Sequence, residues 1–111
     1  VNVLFTSFWY RHDVLPVTDR GGMLEETVVY GPLCMNIDVV RPHVLLPPLE
    51  AGDPLVIRPV GAYNVTQWMQ FIRLRPAVVL VGEGRSVDLT RRAETVDDIK
   101  GPELLPERLK A

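Results

Sequence analysis

Prolines and glycines recur along almost the whole chain, and their distribution restricts the fold more than any other feature. The 111 residues include 10 prolines and 8 glycines. Proline removes a backbone donor and clashes with the preceding helical turn, so long helices are excluded where prolines recur. The runs between the breaks are short and rich in β-branched and aromatic residues, which are typical of strands. The pattern predicts an all-β fold, a small antiparallel β-barrel or Greek-key sandwich with one short helix.

The predicted strands lie between these breaks. Residues 3–10, 25–30 and 55–60 read as the first three strands. Residues 77–81 are continuously apolar, so we expect that strand to be buried on both faces. Residues 86–90 alternate between polar and apolar side chains and pair back on it after a Gly-Glu-Gly turn.

One short helix is predicted in the core, over residues 67–71, where polar residues just upstream can cap it. Residues 95–99 indicate a capped single turn near the end of the chain. Residues 38–46 have a mixed pattern, and Pro42 forbids a long helix there.

Composition narrows the classes of function. Hydrophobic residues make up 47% of the chain, which suits a single domain over residues 1–111. The net charge of −2 provides no basic field, so neither nucleic acid nor a membrane is an expected partner. A lone cysteine with two scattered histidines indicates the reducing cytoplasm and no metal site. The start at Val1, inside an apolar stretch, indicates a piece of a longer protein.

The cysteine lies directly after a Gly-Pro break. The strand over residues 25–30 ends at Gly31, Cys34 follows, and Asp38 comes four residues later. A lone cysteine is commonly a small buried hydrophobe, but a thiol on such a loop can also be accessible and reactive. Asp38 could equally be a loop carboxylate that bonds its own backbone. The residues alone leave these interpretations open.

A second segment of interest is Gly-Ala-Tyr at residues 61–63. Two small residues allow close approach of a ligand, and the Tyr63 hydroxyl could reach a phosphate. A core tyrosine with its hydroxyl at the surface is an equally good interpretation. His12 and His43 are isolated in the sequence, so we expect them to be solvated or structurally bonded rather than ligands.

Taken in order, several segments form a pattern with specific spacing. They are Gly-Pro-Leu-Cys at 31–34 with Asp38, Pro-Leu at 48–49, Gly-Asp at 52–53, Gly-Ala-Tyr at 61–63, Phe71, Arg-Pro-Ala at 75–77 and the charged run at 92–98. This order resembles the C-terminal β-barrel domain of the fold-type III pyridoxal-phosphate-dependent decarboxylases. That group includes diaminopimelate, ornithine and arginine decarboxylases.

The resemblance implies a role for particular residues. The cysteine of the motif, here Cys34, reaches across a dimer interface and helps to protonate the substrate α-carbon after carbon dioxide leaves. Tyr63 takes the position that contacts the cofactor phosphate. Phe71 walls the substrate pocket, and Met35 and Asp38 take positions on its substrate-binding side.

The resemblance also implies partners that these residues do not include. Pyridoxal 5'-phosphate is held by a lysine of an N-terminal (β/α)₈ barrel, and neither Lys100 nor Lys110 lies in a matching context. The expected partners are that barrel, a second identical subunit in a homodimer and a small amino-acid substrate. We expect the 111 residues by themselves to be inactive.

Two positions depart from the family pattern. Met35 replaces the acidic residue that binds the distal ammonium of a diamino acid, and Ile72 replaces a frequent asparagine. The alternatives are a decarboxylase-like protein that binds a partner without catalysis, a free-standing β-barrel binding module, and a racemase of the same fold type. Racemases lack the Gly-Pro-x-Cys pattern.

Overall fold

The computed structural model describes Ser7 and residues 9–110, and the chain divides between Phe71 and Ile72 into two units. Every strand pair in this part of the chain is antiparallel, which confirms the all-β class. The strands are β1 (Asp13–Pro16), β2 (Glu25–Tyr30), β3 (Val39–Leu46), β4 (Leu55–Arg58), β5 (Val78–Val81) and β6 (Val87–Arg91), and the helix is α1 (Val96–Lys100). Two 3₁₀ turns lie at Glu83–Arg85 and Glu107–Leu109. The expectation of one domain over residues 1–111 stays a prediction.

The first unit contains two strand pairs, β1 with β4 and β2 with β3. Val14, Val40 and Leu46 form its buried core, on which half-buried side chains of β2 and β4 pack. Arg41 of β3 donates to the His12 carbonyl at 3.1 Å, just before β1 begins. The predicted strand at residues 25–30 is confirmed with its bounds as β2, whereas most of the one predicted at 3–10 lies outside the described residues.

Strand β3 runs through Pro42, where the sequence predicted no regular element. A register shift between Thr27 and Val29 leaves Pro42 without a partner in the ladder: Thr27 pairs with Val44, and Val29 pairs with Arg41. Proline is tolerated in a strand at such a bulge, because no ladder hydrogen bond is required of it there.

The helix predicted at residues 67–71 is wrong. A turn precedes this segment, and its carbonyl at Tyr63 accepts hydrogen bonds from Gln67 N–H at 2.9 Å and from the Thr66 hydroxyl at 3.0 Å. Ile72 then adopts a φ of 71°, which no α-helix continues through. The turn at Tyr63 and the positive φ of Ile72 therefore bound this segment on both sides.

The second unit contains the hairpin of β5 and β6, which confirms the predicted pairing. The expectation that residues 77–81 are buried on both faces is wrong, because all of β5 is exposed in a two-stranded sheet. The capped turn near the end is confirmed as α1, where Thr95 and Asp98 form a capping box. No helix in residues 9–110 is long and apolar enough to cross a bilayer.

Candidate functional site

The loop between β2 and β3 carries the cysteine. Its ends are closed by a backbone hydrogen bond, in which Gly31 N–H donates to the Asp38 carbonyl at 2.8 Å. Leu33 is buried and anchors the loop, whereas the next residue, Cys34, is exposed. Met35 follows and is half-buried. The accessible thiol, one of the two interpretations left open by the sequence, is therefore the one that the structure supports.

Asp38 lies beneath this loop and is only 1% exposed. Its Oδ2 accepts a hydrogen bond from Leu33 N–H at 2.9 Å, and its own N–H donates to the Met35 carbonyl at 3.0 Å. Its Oδ1 is buried and has no hydrogen-bond partner among the residues that the structure describes. These bonds organise the loop, while the predicted contact of Asp38 with substrate stays a prediction.

Glycine is required at residue 31 for a steric reason. A Cβ built on Gly31 would overlap the carboxylate of Asp38, so no larger residue fits while the aspartate keeps its place. The Gly-Pro break that the sequence indicated thus does two things. It ends β2, and it leaves room for the carboxylate that holds the loop.

A second segment of interest is the turn that presents Tyr63. The tyrosine is 62% exposed and adopts a φ of 65°, in the left-handed region that a bulky residue rarely enters. Asn64 supports the turn, because its N–H donates to the Ala62 carbonyl at 2.8 Å and its Nδ2 donates to the Val60 carbonyl at 3.1 Å. Asn64 is itself buried. The phenol is thus held at the surface by a fixed backbone.

His12 contributes to the same turn, and sequence reasoning gave it only a general structural role. It is 2% exposed, and its Nδ1 lies 2.6 Å from the Pro59 carbonyl, so Nδ1 is the donor. His12 and Tyr63 both line a cavity of about 220 Å³, together with Trp9, Tyr10, Pro59, Gly61, Ala62 and Asn64. In the sequence, His12 is an isolated histidine just before a strand, and nothing near it indicates a hydrogen bond to Pro59.

The predicted site residues do not all meet in this cavity. Cys34 and Met35 share one loop, and Tyr63 lies on a different turn. The cavity lined by Tyr63 contains none of Cys34, Met35, Asp38 and Phe71. Phe71 is 47% exposed at the end of the first unit.

The Gly-Asp segment at residues 52–53 has a structural role in this fold. Asp53 accepts hydrogen bonds from the Arg20 guanidinium at 2.9 and 2.8 Å and from Glu50 N–H at 2.8 Å. The hydrogen bond from Arg20 and then that from Glu50 hold the pKa of Asp53 below its ordinary value. The segment thus closes a turn.

Pyridoxal phosphate needs phosphate donors and a lysine, and Tyr63 is the residue of this chain that the resemblance implies as a phosphate donor. The Tyr63 side chain is exposed, and a Cβ on nearby Gly61 would meet nothing within 4 Å. The chain's two lysines are paired with Asp97 and Glu107, each three residues earlier. Both lysines lie in the second unit, and both are far along the sequence from the turn that presents Tyr63.

The comparisons with known proteins all indicate the same family. Residues 1–61 match the model of the pyridoxal-dependent decarboxylase C-terminal sheet domain. A diaminopimelate decarboxylase of Synechocystis is 38% identical over 77% of this chain and 18% of its own length. One from Methanothermobacter thermautotrophicus is 38% identical over 90% of this chain and 23% of its own length.

A solved structure gives the same result. The crystal structure of a diaminopimelate decarboxylase from M. jannaschi superposes with a TM-score of 0.83 at 27% identity. The match covers 97% of this chain and 25% of that one, so this chain spans a quarter or less of the relatives compared here. The chain belongs to the pyridoxal-dependent decarboxylases, as a C-terminal sheet domain.

Proposed function

We propose that this chain is the C-terminal part of an enzyme that removes the α-carboxylate of an amino acid with pyridoxal 5'-phosphate. The observation that carries the proposal is Cys34, an exposed thiol on an anchored loop within the segment that matches the family. When bound, the cofactor supplies the electron sink for the departing carboxylate. What this chain contributes is the proton, the phosphate contact and part of the pocket.

Cys34 is the proposed proton donor. After carbon dioxide leaves, its thiol gives a proton to the substrate α-carbon and is left as a thiolate. The thiol is accessible, and the resemblance to the family implies that it serves the active site of a second, identical subunit. The proposed assembly is therefore a homodimer in which each C-terminal domain completes the partner's site.

Tyr63 is the proposed phosphate contact. Its phenol is exposed on a turn with a fixed backbone, so its hydroxyl can donate to a phosphate oxygen without reorganisation of the turn. Tyr63 lies just beyond the residues that match the family model, and the Gly-Ala-Tyr resemblance carries this assignment. Phe71, exposed near the end of the same unit, is the proposed pocket wall.

Met35 points to the substrate class. A thioether offers no charge to a substrate ammonium, and an unpaired buried ammonium is costly. We infer a substrate without a free distal ammonium at this position, such as an acylated or apolar amino acid. Turnover of lysine, ornithine and diaminopimelate should be compared with turnover of analogues in which the distal amine is acylated and the α-amine is free. Efficient decarboxylation of a free diamino acid that is unaffected by Met35→Ala would support a substrate ammonium bound elsewhere.

The reaction is tested in the complete protein that carries this domain. Cys34→Ala should lower kcat strongly, and Tyr63→Phe should weaken retention of the cofactor. Mixing the Cys34→Ala subunit with a subunit that lacks the cofactor lysine should restore activity, because one mixed site then holds both intact groups. No restoration in a confirmed mixed dimer would refute the role across the interface.

A second candidate is a decarboxylase-like protein that binds a partner without catalysis, and Met35 is the residue that favours it. The same substrate panel separates the two, since this candidate shows no carbon dioxide release with any amino acid.

The proposed location of the protein is the cytoplasm, because a lone unpaired cysteine suits a reducing compartment.

A further inference from the structure

We propose that Asp38 is the positioning residue that fixes both Cys34 and Met35. The inference rests on the proposed function of Cys34 and extends it. The Leu33 N–H donates to Asp38 Oδ2 at 2.9 Å, and the Asp38 N–H donates to the Met35 carbonyl at 3.0 Å. Cys34 thus lies between two residues that are both hydrogen-bonded to the same aspartate.

The burial of Asp38 makes this arrangement rigid. Asp38 is 1% exposed and Leu33 is 8% exposed, so water does not compete for the hydrogen bond between them. A third hydrogen bond, from Gly31 N–H to the Asp38 carbonyl, closes the loop at its base. The exposed thiol of Cys34 is therefore carried by a backbone that is fixed from beneath.

The same burial favours positioning over direct contact with substrate. The carboxylate lies over the Gly31 backbone, on the inner side of the loop, whereas the thiol of Cys34 is exposed. A carboxylate in that place acts on the reaction through the peptide group of Leu33, whereas the Met35 carbonyl is held by the backbone N–H of Asp38, which Asp38→Ala and Asp38→Asn both retain. Its effect should appear in kcat and in the order of the loop, with little change in substrate affinity.

Two variants and a matched control test the proposal. Asp38→Ala removes the side-chain acceptor, whereas Asp38→Asn keeps an oxygen that can accept from Leu33. Asp53→Ala is the control, because Asp53 also accepts from a backbone N–H, that of Glu50 at 2.8 Å, but holds a different turn.

The first readout is amide hydrogen exchange of the complete protein that carries this domain. Asp38→Ala should accelerate exchange at the Leu33 amide by about tenfold or more, as expected for a lost buried hydrogen bond. Asp38→Asn should retain most of the protection, and Asp53→Ala should leave the Leu33 amide unchanged. Unchanged exchange in Asp38→Ala would overturn the proposal. If Asp38→Ala does not fold, Gly31→Ala, which displaces the same carboxylate, gives the same comparison.

The second readout is turnover by the complete enzyme. Asp38→Ala should lower kcat about tenfold with KM nearly unchanged, and Asp38→Asn should recover most of it. A rise in KM with kcat retained would instead show direct binding of substrate and would overturn the positioning role. If Cys34→Ala leaves turnover unchanged, the proposed function fails, whatever the exchange at Leu33 shows.

Discussion

The carboxylate of Asp38 occupies the space that a side chain at Gly31 would need, so these two residues pack as one unit at the base of the cysteine loop. Their backbones are also joined, by a hydrogen bond of 2.8 Å from Gly31 N–H to the Asp38 carbonyl. The spacing between the two residues in the sequence thus has a steric explanation. A substitution at either residue should therefore change the packing of the other.

Gly31→Ala should destabilise the fold by about 1–3 kcal/mol, because the new methyl group overlaps the buried carboxylate and forces it to move. Gly61→Ala is the control, since a Cβ there would meet nothing within 4 Å, and we expect a change below about 0.5 kcal/mol. Urea unfolding of the two variants measures the difference. Equal effects would show that the loop adjusts freely around the added group.

The two histidines should differ in their contribution to stability. His12→Ala should cost about 2–4 kcal/mol, because it opens a cavity and leaves the Pro59 carbonyl without its donor. His43→Ala should cost less than about 1 kcal/mol, because His43 pairs with Glu26 at 2.8 Å on the exposed surface. Urea midpoints at neutral pH give the comparison. A small effect of His12→Ala would show that the turn before Tyr63 does not depend on it.

Acid should weaken the fold through Asp53. Its pKa is held below the ordinary 3.8, chiefly by the hydrogen bond from Arg20. As the pH falls, Asp53 therefore takes up a proton at a higher pH in the unfolded chain than in the folded chain. The stabilisation from Asp53 is fully present above about pH 4 and is lost progressively as the pH falls below that value. Urea midpoints between pH 7 and pH 3 should fall less steeply for Asp53→Asn than for the wild type. Parallel curves for the two proteins would contradict this assignment.

Met35→Glu should shift the substrate preference of the complete enzyme towards free diamino acids. A carboxylate at residue 35 can pair with the distal ammonium that a thioether leaves unpaired. The measurement is the ratio of kcat/KM for a free diamino acid to kcat/KM for the analogue in which its distal amine is acylated. Met35→Gln is the control of similar size without charge. A ratio that Met35→Glu does not raise above that of Met35→Gln would show that residue 35 does not face the substrate side chain.

The 111-residue chain alone should not retain pyridoxal phosphate. Its two lysines, Lys100 and Lys110, are engaged with acidic neighbours in the second unit, and neither belongs to the family's cofactor segment. After incubation with the cofactor and gel filtration, the protein fraction should show no cofactor absorbance. A band that persists, and that Lys100→Arg or Lys110→Arg removes, would assign a covalent role to that lysine.

Local signals in the sequence were sufficient for part of the fold. Residues 25–30 formed a strand with the predicted bounds, because a β-branched run ended at a Gly-Pro break. The capping box of Thr95 and Asp98 likewise depends on residues close in sequence. Such features need no information about the rest of the chain, and both were correctly placed.

Features that depend on distant residues were not predictable in the same way. The sequence around Pro42 only excluded a long helix, and the strand there depends on a bulge in β3 that is visible only against its partner β2. The burial expected for β5 depended on a neighbouring layer, and apolar composition alone cannot show that one is present. Among the site residues, the exposure of Cys34 agreed with the Gly-Pro break, whereas the hydrogen bond of His12 to Pro59 joins residues far apart in the chain.

In the loop that carries Cys34, the groups that fix the backbone are different from the side chain of residue 35. The shape of this loop depends on the missing side chain of Gly31, the backbone N–H of Leu33 and the carboxylate of Asp38. The side chain of Met35 takes part in none of these hydrogen bonds, and only its carbonyl does. Residue 35 can therefore be exchanged in evolution, or in the laboratory, without rebuilding the support of the thiol. A substitution at residue 35 would change the side chain next to Cys34 while the hydrogen bonds that hold the loop are preserved.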